Sequence, residues 1–206
     1  MFFLPFSIVV FIIFILLLPL LFVLFSVGAV GVAFQKLGMS PVSGIMFFLL
    51  SLIGSTINIP LYEKQIEVTN DFEISSLHQF LFGIKPQFLQ KQLIAINVGG
   101  CILPLLLCFM LLFRVPLRPV IICTVIMIIT CKFLARPTAG IGIAIPAFFP
   151  PIISAILAIL IAGRNYAPGV AYISGVLGVL IGADLFNLKA IEKMGRGVMS
   201  IGGAGV

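Results

Sequence analysis

The sequence has little of what a water-exposed protein surface needs. It contains twelve Lys and Arg, six Asp and Glu, one histidine and no tryptophan in 206 residues, so that 9% of the chain is charged. A soluble domain is about 25% charged. With 62% hydrophobic residues and a mean hydropathy of +1.33, the chain is predicted to have the lipid bilayer as its main solvent.

The same scarcity argues against several classes of function. The basic residues stand singly at the edges of apolar runs and form no stripe interleaved with aromatics, so nucleic-acid binding is not expected. The four cysteines all lie within apolar runs and form no C-x-x-C pair, so we expect them to behave as small apolar residues: Cys101, Cys108, Cys123 and Cys131. His78 has no second His or Cys at ligand spacing. The sequence therefore predicts no metal and no cofactor, and an enzyme is the less favoured class.

Apolar runs of about 20 residues, the length that crosses a bilayer, divide the chain. They predict six transmembrane helices, at residues 4–34, 41–62, 92–113, 118–135, 138–163 and 166–188. The first run has no basic residue before it and is too long for a secretory signal, so we expect it to stay uncleaved. The predicted fold class is all-α, a polytopic transmembrane helical bundle that forms a single integral membrane domain over residues 1–206.

Residues 63–91 are the one sizeable polar segment between the predicted helices, and we expect them outside the membrane. Apolar residues alternate on both sides of Asn70-Asp71, which favours a small β-hairpin. Further along, apolar residues at helical spacing favour a short helix on the membrane surface, namely Leu77, Phe80, Leu81 and Ile84.

The distribution of Lys and Arg predicts the orientation. With a cytoplasmic N-terminus, the inside has Lys64, Lys85, Lys91, Lys132, Arg136, Lys189, Lys193 and Arg196. The outside then has Lys36, Arg114, Arg118 and Arg164. This bias predicts that both termini are cytoplasmic and that the protein lies in the cell (inner, cytoplasmic) membrane.

Polar residues recur near those helix ends that alternation places on one side of the membrane. Asn58 is near the end of the second predicted helix, Asn97 near the start of the third, Lys132 near the end of the fourth and Asp184 near the end of the sixth. Asn187 follows Asp184 at i+3. We therefore expect a polar layer at similar depth in one leaflet, and these five residues are the candidate binding residues.

The predicted fifth helix enters from that same side through AGIGIAIPAFFPP. Pro146, Pro150 and Pro151 lack an N–H and clash with the preceding turn, so the helix is expected to be broken. Broken backbone at membrane depth either lines a watery cavity, as in transporters, or is a simple kink. Both interpretations stay open.

In the sixth predicted helix, a stripe of small residues at 4-3-4 spacing predicts close packing on a neighbouring helix: Ala171, Gly175, Gly178 and Gly182. Asp184 lies roughly opposite this stripe. Three interpretations remain open for its carboxylate. It is solvated at the interface, or it is bonded to Asn97, Asn58 or Lys132 as a structural group, or it is a protonatable site that gates or binds a solute.

Five motifs in order resemble an uncharacterised prokaryotic integral membrane family, domain of unknown function 1614. They are NIPL at 58–61, NVGG at 97–100, GIGIAIPAFFPP at 140–151, LIGADLFNL at 180–188 and SIGGAGV at 200–206. The resemblance implies a membrane location and brings no established activity. It also implies that relatives continue past the glycine run into a further apolar helix with an aspartate near its start.

Three functional hypotheses follow. The first is a carrier or channel for a small solute or ion, with Asp184 as the proton or cation site. The second is a non-catalytic membrane subunit that docks a partner through residues 63–91. The third is a relative of presenilin-like intramembrane aspartyl proteases that lacks the second aspartate. The expected partners are the lipid bilayer and, for the subunit hypothesis, another protein or a second copy of the chain.

Overall fold

The structure is a computed structural model that describes residues 6–68, 88–138, 142–188 and 197–203. It divides into two compact units, Met1–Leu50 and Ser51–Val206. Most of the described residues are helical, which confirms the helical part of the predicted fold class. The structure also contains strands, which an all-α class does not include.

The first unit consists of helix α1, Phe6–Lys36, and most of helix α2, Pro41–Gly54. Ser40 opens α2, because its Oγ accepts a hydrogen bond from the Ser43 N–H at 3.1 Å. The segments Ser26–Lys36 and Pro41–Gly54 differ in direction by 110° across the short break between them.

Helix α2 ends at Gly54, whereas the sequence predicts a helix to residue 62. The hydroxyls of Ser55 and Thr56 donate to the carbonyls of Leu52 and Ile53, at 2.6 and 2.7 Å, and so satisfy the last turn. The chain then becomes strand β1, Asn58–Val68.

On both sides of the polar segment 63–91, the chain forms strands of a three-stranded sheet where the sequence predicts helix. Strand β1 pairs antiparallel with β2, Phe88–Asn97, with Asn58 opposite Asn97. A later strand, Gly197–Ile201, pairs parallel with β2 on the other side. The hairpin expected around Asn70-Asp71 and the surface helix expected at Leu77–Ile84 lie outside the described residues.

Helix α3, Val98–Leu112, begins six residues later than predicted (its expected range was 92–113), because β2 occupies the first part of that range. It opens with a π-helical turn, Val98–Ile102. Asn97 has an extended backbone and its side chain accepts from the Gly100 N–H. One residue thus ends a strand and caps a helix.

Helix α4, Leu117–Leu134, is followed by a short hairpin of strands β3, Arg136–Thr138, and β4, Gly142–Ala144. The next helix, α5, begins at Phe149 and not at residue 138. Consequently Pro146 precedes the helix, and Pro150 and Pro151 lie in its first turn, where a missing N–H breaks no hydrogen bond. The prolines open this helix and do not interrupt it.

Helix α5 continues to Asn187 as one apolar element, Phe149–Asn187, but the chain reverses inside it. Gly163 has φ 74° and ψ 164°, which are non-helical values. A Cβ added to Gly175 would lie 3.2 Å from Ser154 Oγ, whereas a straight helix would separate these residues by roughly 30 Å. The element is therefore two antiparallel arms, residues 149–162 and 164–187.

The glycines of the second arm lie against helix α4. A Cβ on Gly178 would be 2.6 Å from the Cβ of Met127, and one on Gly182 would be 2.3 Å from the carbonyl oxygen of Ile128. Met127 is fully buried in a cluster with Cys131, Ala135 and Ala183. Only glycine allows the two backbones to approach this closely.

Among the described residues, two elements are long and apolar enough to cross a membrane, Leu117–Leu134 and Phe149–Asn187. The bent pair of α1 and α2 adds a third if it counts as one span. Large apolar side chains on these helices point outward, with Phe133 84% and Leu160 76% exposed. The outer surface of the helices is thus apolar rather than polar.

Candidate functional site: a polar cluster around Asn97 and Asp184

The polar cluster is centred on Asn97, at the junction of strand β2 and helix α3. The side chain of Asn97 is 1% exposed. Its Nδ2 donates to the Ser55 carbonyl at 2.7 Å and to Asn58 Oδ1 at 3.0 Å, and its Oδ1 accepts from the Gly100 N–H at 2.7 Å. One buried amide therefore joins the end of α2, strand β1 and the start of α3.

The parallel strand Gly197–Ile201, named β5, adds a third polar side chain to this cluster. Ser200 on β5 is buried, and its Oγ donates to the same Asn58 Oδ1 that Asn97 contacts. Because Ser200 pairs with Ala95 in the sheet, its register on β2 brings the hydroxyl to Asn58. The network thus fixes β5 to the other two strands by side chains as well as by backbone.

Asp184 meets the cluster through the glycine turn that follows β5. Its Oδ2 accepts a hydrogen bond from the Gly202 N–H at 2.8 Å. Gly202 has φ 76°, a conformation that favours glycine, and its carbonyl oxygen lies 1.8 Å from where a Cβ on Gly100 would be. Two glycines therefore permit a close backbone contact that brings the Asp184 carboxylate to the edge of the Asn97 network.

Lys132 and Asn187 form a second contact at the same end of the helices. The Lys132 Nζ donates to the Phe186 carbonyl and to Asn187 Oδ1, both at 2.6 Å. Asn187 Nδ2 donates back to the Ala183 carbonyl at 2.8 Å. A cation at the C-terminal end of a helix is favourable, and here it satisfies carbonyls of the last turn of α5. Its donors go to these oxygens and not to the Asp184 carboxylate.

The structure places the predicted site residues in three arrangements. Asn58 and Asn97 are directly bonded, Lys132 and Asn187 are directly bonded, and Asp184 joins the first pair through Gly202. The prolines are apart from these hydrogen bonds, in the segment that opens α5. The predicted stripe positions Gly175, Gly178 and Gly182 have neighbours within 3.2 Å of an added Cβ, and the Ala171 carbonyl accepts from Ser174 Oγ.

Sequence reasoning missed four residues of the cluster, namely Ser55, Gly100, Ser200 and Gly202. Ser55 contributes only its backbone carbonyl, a group that every residue type has, so its role cannot be read from the sequence. Ser200 and Gly202 belong to the glycine-rich SIGGAGV run, whose signal is weak because no phosphate-binding pattern accompanies it. A parallel strand in this run was not predictable from its composition.

The chemistry available here is that of one carboxylate among neutral amides, hydroxyls and backbone N–H groups. The described residues contain no group of three His, Cys, Asp or Glu side chains that could hold a metal ion. Aspartyl protease chemistry needs two carboxylates that share a proton, and Asp184 is the one carboxylate that these contacts bring to the cluster. The arrangement is suited to accepting a proton or a small cation, or to structural bonding.

Comparison with known proteins gives a family but no activity. The model of the family described as "Protein of unknown function (DUF1614)" matches residues 52–206, which include the whole polar cluster. No curated protein matches the chain, and no solved structure matches it. The chain belongs to the DUF1614 family of proteins of unknown function.

Proposed function

We propose that the protein is a multi-pass protein of the cell (inner, cytoplasmic) membrane that carries a proton or small cation, alone or with a solute, and binds it at Asp184. The observation that supports this proposal is the environment of the carboxylate. Asp184 is at the end of a long apolar helical element, and its Oδ2 accepts one bond from a neutral donor, the Gly202 N–H. Lys132, a basic residue at the same end, is bonded to other oxygens.

A carboxylate in an apolar helix costs about 2.5–3.5 kcal/mol at the bilayer centre and is by default a functional group. Asp184 is half-buried, near the end of its helix, so the cost is smaller there. A neutral N–H partner stabilises the carboxylate less than a basic side chain would. These conditions favour a group that exchanges its counter-ion or proton.

The membrane location is supported by the outward-facing apolar side chains and by the helical elements long enough to span a bilayer. The reversal at Gly163 makes the two arms of Phe149–Asn187 antiparallel. We propose that these arms, together with α3 and α4, form an up-and-down set of four apolar helices in the second unit. The polar cluster then lies at one end of this set, near one membrane surface, and both chain termini are proposed to be cytoplasmic.

Ion uptake into liposomes tests this function. The purified protein is reconstituted with a pH-sensitive dye inside the vesicles, and dye response is measured after a pH jump or a potassium gradient is applied. We expect wild-type vesicles to respond and Asp184→Asn vesicles to lose the response. The control is Asp71→Asn, which makes the same chemical change at the other aspartate, in the polar segment 63–91, and should keep the wild-type rate.

The control decides what a loss means. A lost response in both variants, or an unchanged response in Asp184→Asn, would contradict a role for Asp184 in transport. Each variant is first required to elute as a single species from size-exclusion chromatography, so that misfolded protein is not scored as inactive.

A second candidate function is a non-catalytic membrane subunit whose polar cluster serves packing. The bonding of the Asn97 side chain, which is 1% exposed, favours it, because a buried amide whose donors and acceptor are bonded is what a structural junction requires. Docking of its partner through residues 63–91 belongs to this proposal. The two candidates differ in the melting temperature of Asp184→Leu. A higher value than wild type favours the carrier, since functional groups often cost stability, and a much lower value favours the subunit.

A further inference from the structure

The start of strand β1 carries an unusually apolar and exposed surface. Ile57, Ile59, Leu61 and Tyr62 each present a large side chain to the outside, with Leu61 57% and Tyr62 58% exposed. The next residues, Glu63 and Lys64, are charged. Large exposed apolar patches mark surfaces that contact a partner or a membrane. The change from apolar to charged residues at Tyr62 resembles a boundary between lipid and water.

The start of strand β1 lies next to the base of helix α3, which also carries exposed apolar side chains. Asn58 pairs with Asn97, and Asn97 caps helix α3, so the first rung of the sheet lies at the base of that helix. On α3 itself, Leu106, Phe109 and Met110 are exposed. Exposed apolar side chains therefore occur both on α3 and on the first residues of β1, and the two elements meet at the Asn58–Asn97 rung.

The backbone of β1 limits how deep this strand can lie. In the described sheet β1 is an outer strand, and an open strand edge is not tolerated in hydrocarbon because its backbone groups would have no partners. Pro60 removes one donor, and the register shift between Pro60 and Tyr62 interrupts the ladder. At the boundary of headgroups and acyl chains, water and headgroups satisfy the remaining groups. Tyr62 suits this depth, since tyrosine is enriched there.

We propose that residues 57–62 insert into the headgroup–acyl boundary of the bilayer, so that the partner of this surface is lipid. The strand then anchors the sheet to the membrane surface beside the polar cluster. This inference rests on the membrane location in the proposed function, but not on transport at Asp184.

Tryptophan fluorescence tests the depth of the strand directly. The chain contains no tryptophan, so a single introduced Trp reports without background. Tyr62→Trp and, as a second variant, Leu61→Trp are reconstituted in phosphatidylcholine vesicles with bromine near the carbonyl or near the end of the acyl chains. Val125→Trp, at an exposed position in the middle of α4, is the reference for a spanning helix.

We expect both strand variants to lose most of their fluorescence to shallow bromine, less to deep bromine, and little to aqueous iodide. The Val125→Trp variant should be quenched most by deep bromine. Strong iodide quenching of the strand variants without bromine quenching would place the strand in water and overturn the inference. Protection from both quenchers would mean that protein covers the strand, and would overturn it as well. Failure of bromine to quench Val125→Trp would instead contradict the membrane-spanning helices themselves.

Discussion

Ser154 and Gly175 are in contact although they belong to opposite arms of the element Phe149–Asn187. A Cβ on Gly175 would lie 3.5 Å from the Ser154 Cβ, within the separation of roughly 3.5–4.5 Å that a disulfide requires. The chain reversal at Gly163 is the cause of this proximity. The contact gives a direct chemical test of the helical hairpin.

The double variant Ser154→Cys/Gly175→Cys is expected to form an intramolecular disulfide under mild oxidation. The measurement is intact mass after maleimide labelling in denaturant, in which the double variant should carry no more adducts than wild type with its four cysteines. Each single variant is the control and should gain one adduct. Two extra adducts on the oxidised double variant would show that the arms are not adjacent.

Replacement of Asn97 is expected to destabilise the second unit strongly. In Asn97→Ala the Gly100 N–H and the Ser55 carbonyl lose their buried side-chain partner, and each such loss costs about 1–3 kcal/mol of the free energy of unfolding. Asn165→Ala, which makes the same change at an exposed position, should differ little from wild type. The comparison is made by denaturant unfolding in detergent, and equal stability of the two variants would refute a structural role for the amide.

Glycine-to-alanine substitutions in the second arm of α5 are expected to destabilise the protein more where the added methyl group has less space. Gly182→Ala meets the rigid backbone oxygen of Ile128 at 2.3 Å, Gly178→Ala meets a side-chain carbon at 2.6 Å, and Gly175→Ala meets the rotatable Ser154 hydroxyl at 3.2 Å. Overpacking costs typically about 1–3 kcal/mol, so melting temperatures should rise in that order.

The matched control for this series is Gly28→Ala in α1, where an added Cβ has nothing within 4 Å. Alanine in an open helical position is more stable than glycine by roughly 0.5–1 kcal/mol, so this variant should melt no lower than wild type. A Gly182→Ala protein as stable as Gly28→Ala would show that α4 and α5 are not packed through this stripe.

The extent of the helices in the second unit could be predicted where a long apolar run is bounded by breakers. The helix expected at residues 118–135 is found at Leu117–Leu134. It begins directly after Pro116 and ends before Arg136. The sheet could not be predicted in the same way. The run LIAIN in β2 is short and apolar, and periodicity alone does not separate such a strand from the start of a helix. Its partner strand Gly197–Ile201 is distant in sequence.

The residue types of the polar cluster were visible in the sequence, but their hydrogen bonds were not. Alternation of helices grouped Asn58, Asn97 and Asp184 on the assumption that both asparagines lie in transmembrane helices. The structure connects the three residues through Gly202 and Ser200, but it places both asparagines in strands. The sequence does not show that Lys132 bonds to Asn187, because a lysine side chain is long enough to reach several partners. Which oxygen it contacts depends on how α4 and α5 pack.

The wide π-helical turns at Val98–Ile102 and Gly178–Asp184 have a consequence for the direction of the carboxylate. A π segment accommodates an extra residue relative to an α-helix, and one residue corresponds to about 100° of rotation. If Gly178–Asp184 rewound as regular α-helix, the part of α5 before Gly178 would keep its place while Asp184 turned away from Gly202. The winding of a single helical turn, rather than a hinge between domains, thus determines whether the carboxylate contacts the glycine turn.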